Sequence, residues 1–398
     1  MDLLDNIVQP YAWGSRTALA ALRGAPTPSP TPEAELWMGA HPGGPSRALR
    51  AGAWAPLPDR IAAAPDAELG ARVVGSLGRE LPFLLKVLAA EEPLSLQAHP
   101  TLEQARAGFD AEETKGVPRD APHRNYKDRN HKPELICALG PFDALCGFRA
   151  VDELRELLSA LGTLDALRAR LDRGPDGLGP AFAWVMGLAS EAREAREASV
   201  GATLAACERL RDRGGPFADA CGWALRLGAI HPGDAGVIGA LMLNLVRLAP
   251  GEAIYLPAGN LHAYLHGVGV EIMASSDNVL RGGLTPKHVD VPELLRVLDF
   301  RAGPVDKVLP SPAGDGVLER WTTPAREFAL SRATLRGGSW TTTIDAATIV
   351  LCTEGALAAR DARDALTLRQ GQSAFVPAAG QRIALEGFGV AFLATVPL

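Results

Sequence analysis

The apolar positions of the chain keep two different periods. Every second residue is apolar in Leu94-Ser95-Leu96-Gln97-Ala98-His99 and in Leu261-His262-Ala263-Tyr264-Leu265-His266, the spacing of a half-buried strand. Ser95, Gln97 and His99 then share one strand face, and His262, Tyr264 and His266 share another. Residues 82–88 are an almost unbroken apolar run and predict a buried strand. Lys86 is the misfit there and needs a carboxylate, a phosphate or a route to solvent. Between 151 and 228 the period becomes helical, with Leu154, Leu157, Leu158, Leu161, Leu164 and Leu167 on one stripe. β patterning returns from about Val237 and runs to the C-terminus through 340–344, 348–352 and 374–378.

The breaks agree with this division. Residues 1–60 read as short strands and turns. Alternate prolines over 24–32 exclude both helix and central strand. The charged stretch 110–131 reads as an exposed loop, and Val291-Pro292-Glu293 as a helix start. Tyr255-Leu256-Pro257-Ala258-Gly259 is echoed by Phe375-Val376-Pro377-Ala378-Ala379, but only the first leads to a histidine, His262. The expected fold is mainly β with a helical insert: two related barrels, one of which keeps its ligands. The expected units are 1–150 with 229–302, the insert 151–228, and 303–398.

Composition narrows the class. At 398 residues the chain exceeds one ordinary domain, and 47% apolar content suits packed cores. No apolar run is long enough to span a bilayer, so no membrane partner is expected. The start Met1-Asp2-Leu3-Leu4-Asp5 is acidic where a secretion signal is basic. A net charge of −6 argues against nucleic acid but leaves room for a local anion site. The five cysteines are scattered, with no Cys-x-x-Cys pair, and read as reduced thiols of a cytoplasmic protein.

Three segments offer polar side chains on one strand face: Gln97 with His99, Lys132 with Glu134, and His262 with Tyr264. Pro133 favours the extended backbone that puts Lys132 and Glu134 together. Two histidines, a glutamate and a glutamine make a four-donor set that suits zinc and tolerates other divalent ions. Spacing alone leaves the commoner alternative open, hydrogen-bonded strand-end histidines beside a solvated turn.

Longer strings carry a resemblance. Ser95-Leu96-Gln97-Ala98-His99-Pro100, Lys132-Pro133-Glu134-Leu135, Leu261-His262-Ala263-Tyr264-Leu265 and Asp277-Asn278-Val279-Leu280-Arg281-Gly282-Gly283-Leu284-Thr285-Pro286-Lys287 resemble the signatures of the type I mannose-6-phosphate isomerases. Trp13-Gly14 and Trp37-Met38-Gly39-Ala40-His41-Pro42 fit the same family. The likeness covers most of residues 1–300, in the family's order. The last hundred residues match in β character alone.

The resemblance implies a cupin (jelly-roll) catalytic barrel, a second cupin-like β domain, and interconversion of mannose 6-phosphate and fructose 6-phosphate. It implies one zinc ion per chain on Gln97, His99, Glu134 and His262, and a catalytic Arg281. Ser95, Tyr264 and Lys287 become substrate contacts, with Arg281. Lys132 or Glu271 is the candidate base, and ring opening falls to Asp277 or to solvent on the His99 side. Moving a carbonyl between C1 and C2 removes a proton beside it, so the site must stabilise an enediolate. Arg281 is a poor base and a good clamp for that charge, and Lys287 suits a phosphate as a point charge. The implied partner is a small sugar phosphate, and a monomer is compatible with every feature of the sequence. One rival is a non-catalytic sugar-binding or regulatory cupin, which loss of Arg281 or a ligand would favour. Another is an iron oxygenase with two histidines and one carboxylate, against which Gln97 and the Arg281/Lys287 pair count.

Overall fold

The computed structural model describes residues 1–398 except 315, 379, 380 and 398. Among the described residues the strands form two sheets of ten strands each. The first runs Leu243–Leu248, Phe142–Phe148, His262–Ala274, Phe83–Ala90, Glu35–Met38, Ile7–Gln9. Gln97–Ala98, Leu280–Arg281, Glu134–Ala138 and Ala253–Leu256 join it off that path.

One strand closes this sheet into a barrel. Around His262 the strand His262–Ala274 pairs with Gln97–Ala98 and Phe142–Phe148, and from Gly267 onward with Phe83–Ala90 and, from Gly269, Glu134–Ala138. His262 and Met273 would lie about 36 Å apart if the strand were straight. Glu134 is the register partner of Met273, yet its carboxylate reaches His262. The curl has two local causes. The register slips between Tyr264 and His266. Next comes Gly267 at φ +129°, where an added Cβ would sit 2.7 Å from the Phe142 ring and the Pro141 carbonyl. The slip also separates the expected face: His262 and Tyr264 are buried and His266 is exposed.

The second sheet takes seven strands from the C-terminal third, Ser311–Ala313, Leu318–Trp321, Ala329–Ile344, Thr348–Arg360, Ala365–Arg369, Ser373–Val376 and Gln381–Thr395. Three strands from the other end of the chain complete it: Asp2–Asp5, Arg47–Arg50 and Ala53–Pro56. The first 60 residues therefore feed both sheets, and also form the helices Ala18–Leu22 and Leu57–Ala63. One apolar cluster spans both sheets, with Phe83, Leu85 and Val270 in the same core as Trp321, Phe328 and Phe375. The echoing segments form the four-residue strands Ala253–Leu256 and Ser373–Val376, each ending just before its proline. Ala379, the last residue of the echo, lies outside the described residues.

The helical insert runs from Val151–Leu161 to Ala218–Ile230, and Leu154, Leu157, Leu158 and Leu161 are buried in its core. Gly162 ends the first helix in the left-handed conformation, at φ +65°. Helix persists beyond the expected boundary. Gly236–Leu241 is helical and the next strand is Leu243–Leu248, because the apolar run there has no period to tell strand from helix. Part of the expected loop 110–131 is also helix, Leu102–Thr114. Its start is a capping box, with the Thr101 side chain accepting from the Gln104 amide and the Gln104 side chain from that of Thr101.

Candidate active site

Three donors converge at the mouth of the first barrel. His99 Nε2 and His262 Nε2 each lie 3.4 Å from Glu134 Oε2. Their orientation is set from behind. His99 Nδ1 is 2.7 Å from the Asn278 carbonyl and His262 Nδ1 3.1 Å from that of Asn260. A carbonyl can only accept, so each Nδ1 carries the proton and each Nε2 turns a lone pair inward. His99 Nε2 is buried with no hydrogen-bond partner, which is costly unless something else occupies that lone pair. His99, Glu134 and His262 can place one ligand atom each within 4.8 Å of one another. Gln97 faces His262 in register and lines the adjoining cavity. A nitrogen and oxygen donor set of this kind fits a zinc-sized divalent ion.

Charge is arranged to suit. Burial holds His99 down to about 4, so its imidazole is neutral. Burial opposes the Glu134 charge, but the Lys132 ammonium beside it leads the groups that outweigh burial and hold Glu134 well below the usual carboxylate range. Lys132 Nζ sits 2.8 Å from Glu134 Oε1, leaving Oε2 for the histidines.

A cavity of about 640 Å³ opens beside this cluster. Ser95, Gln97, Lys132, Asp277, Arg281 and Lys287 all line it, as the sequence led one to expect. Neither Arg281 nor Lys287 makes an ion pair among the described residues. Burial lowers the pKa of both, and Arg281 and Lys127 add to the effect on Lys287. Two uncompensated cations at a cavity wall make an anion site.

Glu271 and Tyr264 are placed differently from the expectation. Neither lines the cavity. Glu271 is buried one row behind it, with Oε2 2.9 Å from Lys86 Nζ and Oε1 accepting from the Tyr264 hydroxyl at 2.8 Å. The cause is register, since Glu271 pairs directly with Lys86 on the neighbouring strand. Glu271 is thus the buried counter-ion of Lys86 and the hydrogen-bond acceptor of Tyr264. Lys86, only 5% exposed, also lies 3.6 Å from Glu35. Burial works against its charge, but Glu271 and Glu35 outweigh it and keep Lys86 protonated.

Lys86, Glu35 and His41 line the cavity and were absent from the expected site. Lys86 had a signal, its misfit in an apolar run; Glu35 had none. His41 Nδ1 accepts from the Gly43 amide, which leaves Nε2–H to face Asp277 Oδ1 at 3.5 Å. Asp277 is half exposed and faces the solvent side of the cavity.

Comparison with known proteins agrees with this geometry. Residues 1–151 match the family model "Phosphomannose isomerase type I, catalytic domain". The mannose-6-phosphate isomerase of Escherichia coli (strain K12) is 40% identical over 393 residues, 98% of each chain. The chain belongs to the type I phosphomannose isomerase family. The mannose-6-phosphate isomerase of Rattus norvegicus is 34% identical, over 89% of this chain and 88% of the relative. A crystal structure of the Salmonella typhimurium mannose 6-phosphate isomerase, described as bound to substrate and a zinc atom, superposes with a TM-score of 0.90 at 37% identity, covering all of both chains. The catalytic-domain match of this chain holds Gln97, His99, Lys132 and Glu134. His262, Arg281 and Lys287 lie beyond it and are reached by the full-length relatives.

Proposed function

We propose that this chain interconverts mannose 6-phosphate and fructose 6-phosphate through a cis-enediol, with one zinc ion per chain. The observation that carries the reading is the convergence of the His99 and His262 Nε2 atoms on Glu134 beside a cavity walled by two unpaired cations. Gln97, His99, Glu134 and His262 would hold the zinc, which supplies Lewis acidity because only one of its ligands is charged. Arg281 stabilises the negative charge that develops on O1 and O2. Lys287 binds the phosphate. Lys132 is the remaining candidate to shuttle the proton between C1 and C2, since it reaches the cavity and Glu271 does not. For ring opening, Asp277, 3.5 Å from His41, or solvent on the His99 side takes the anomeric hydroxyl proton while the ring oxygen is protonated from water.

The reading includes a cytoplasmic location and no nucleic-acid partner. All five cysteines are free and buried, and no helix among the described residues is long and apolar enough to cross a membrane. It also keeps a catalytic unit of 1–150 with 229–302, an insert of 151–228 and a C-terminal unit of 303–398, with three N-terminal strands lent to the last. A coupled assay on mannose 6-phosphate tests the function. Chelation is expected to abolish turnover and zinc to restore it; turnover that survives complete metal removal would overturn the reading.

A further inference from the structure

We infer that Asp234, at the exit of the helical insert, is a positioning residue for the loop between Arg281 and Lys287; this rests on the phosphate role proposed for Lys287. Asp234 Oδ2 accepts from the Leu284 amide at 2.9 Å and the Thr285 amide at 3.4 Å. Its Oδ1 accepts from the Gly236 amide at 2.7 Å, which ties the carboxylate to the last helix of the insert. On its other side the loop is held by strand-like bonds, Gly282 N to the Leu96 carbonyl at 2.8 Å and Leu96 N to the Gly283 carbonyl at 3.2 Å. The loop is therefore clamped between the segment that carries Ser95 and Gln97 and a carboxylate just past the exit of the insert.

The conformation needs such a clamp. Leu284 has φ +56°, a region that residues with a Cβ avoid. Its side chain is buried in the core of the helical insert, beside Ala235 and Val237. The two backbones touch. A Cβ on Gly283 would lie 2.9 Å from Gly236 Cα, and one on Gly236 would lie 2.8 Å from the Leu284 nitrogen. Thr285 passes the constraint on, because its hydroxyl accepts from the Lys287 amide at 3.1 Å. Leu284, Thr285 and Lys287 line the cavity; Asp234 does not. Asp234 makes no ion pair with Arg281 or Lys287 among the described residues. It thus acts through the Leu284 and Thr285 amides.

Charge and position predict opposite signs, which makes the inference testable. Removing a nearby carboxylate would tighten anion binding if its charge were what mattered. Loss of positioning weakens it. Asp234→Ala is expected to raise KM for mannose 6-phosphate by ~10-fold, with kcat within ~3-fold and zinc content unchanged. Inorganic phosphate, titrated by calorimetry, should weaken by the same factor. Asp234→Asn should fall between wild type and Asp234→Ala: its amide oxygen still accepts from Leu284, while its NH₂ opposes the Gly236 amide. The Asn variant carries the test if the Ala variant does not fold. Unchanged or tighter phosphate binding in both variants would overturn the inference, as would a raised KM accompanied by a comparable fall in kcat and in zinc content. The phosphate titration needs no turnover. A wild type that binds phosphate but does not isomerise mannose 6-phosphate would therefore sink the proposed function, while the Asp234 effect on phosphate would still stand.

Discussion

The two sheets are equal in strand number and opposite in what they bury. The first hides Glu35, Lys86, His99, Glu134, His262 and Glu271 within or behind its barrel. The second buries one charged side chain on its strands, Asp2, tied to Arg50, and otherwise neutral hydroxyls such as Ser331, Thr348, Thr353 and Ser373 with an apolar cluster of Trp340, Leu357, Ile383 and Leu385. The echo segments make the contrast local. Five residues after Pro257 stands His262, buried against Glu134. Five after Pro377 stands Arg382, exposed, which donates to the Thr341 hydroxyl at 3.2 Å; its neighbour Ile383 fills the core. Buried charge costs stability unless it is paired, so the dense cluster of it in the first sheet, against the single Asp2–Arg50 pair on the strands of the second, marks where the chemistry is. The second sheet shows what the same architecture looks like as a scaffold.

Substitutions can break that contrast, and the largest effect is expected at Arg281. Arg281→Ala should lower kcat by ~100- to 1,000-fold, roughly 3–4 kcal/mol, with metal content intact. Arg281→Lys should recover only part of it, because lysine lacks the planar fork. Steady-state kinetics with elemental analysis decide this, and a kcat close to wild type would remove Arg281 from the charge-stabilising role.

The metal-free protein should next show an acid-labile first sheet. His99 is held at about 4 in the fold against its ordinary 6.5, with Glu134, Lys132 and His262 facing it. The unfolded chain therefore takes up this proton first. The contribution of His99 is complete above pH 6.5 and is lost as the pH falls toward 4, by roughly 3 kcal/mol. Urea midpoints of the apoprotein between pH 7 and 4.5 should fall more steeply than those of apo His99→Asn. Equal slopes would mean that His99 is not held neutral by the fold.

Lys287→Ala should weaken mannose 6-phosphate binding by ~10-fold and reduce discrimination against free mannose. Equal loss on both sugars would separate Lys287 from the phosphate. The smallest catalytic effect belongs to the second sheet. Ser373 accepts from Asn6 Nδ2 at 2.7 Å, and Ser373→Ala should cost about 1–3 kcal/mol of stability while leaving kcat and zinc content unchanged. A fall in kcat there would show that the two sheets are not separate in function.

What could be read in advance followed from local pattern. Gln97, His99, Lys132 and Glu134 were legible because alternation along a strand predicts a shared face without any tertiary knowledge. Lys86 was legible as a misfit, but its partners Glu35 and Glu271 were not, because both come from strand register between distant segments. The same applies to Asp2–Asp5, which pairs with Ser373–Val376 near the other end of the chain and brings Arg47–Arg50 and Ala53–Pro56 into that sheet. Tyr264 and His266 were separated by a register slip that nothing in the alternation announces. The helix Leu102–Thr114 did carry a local signal, Thr101 and Gln104 at capping-box spacing, which the charge of the following stretch obscured.

The most direct test of the account is the metal content of His262→Ala. The chain should hold one zinc per molecule as wild type, and the variant should lose both the metal and more than ~99% of the activity, since even groups behind a ligand are worth 10- to 100-fold. Elemental analysis of the folded variant, verified by circular dichroism, reads this out. Full zinc occupancy in folded His262→Ala would contradict the assignment of His99, Glu134 and His262 as one metal centre.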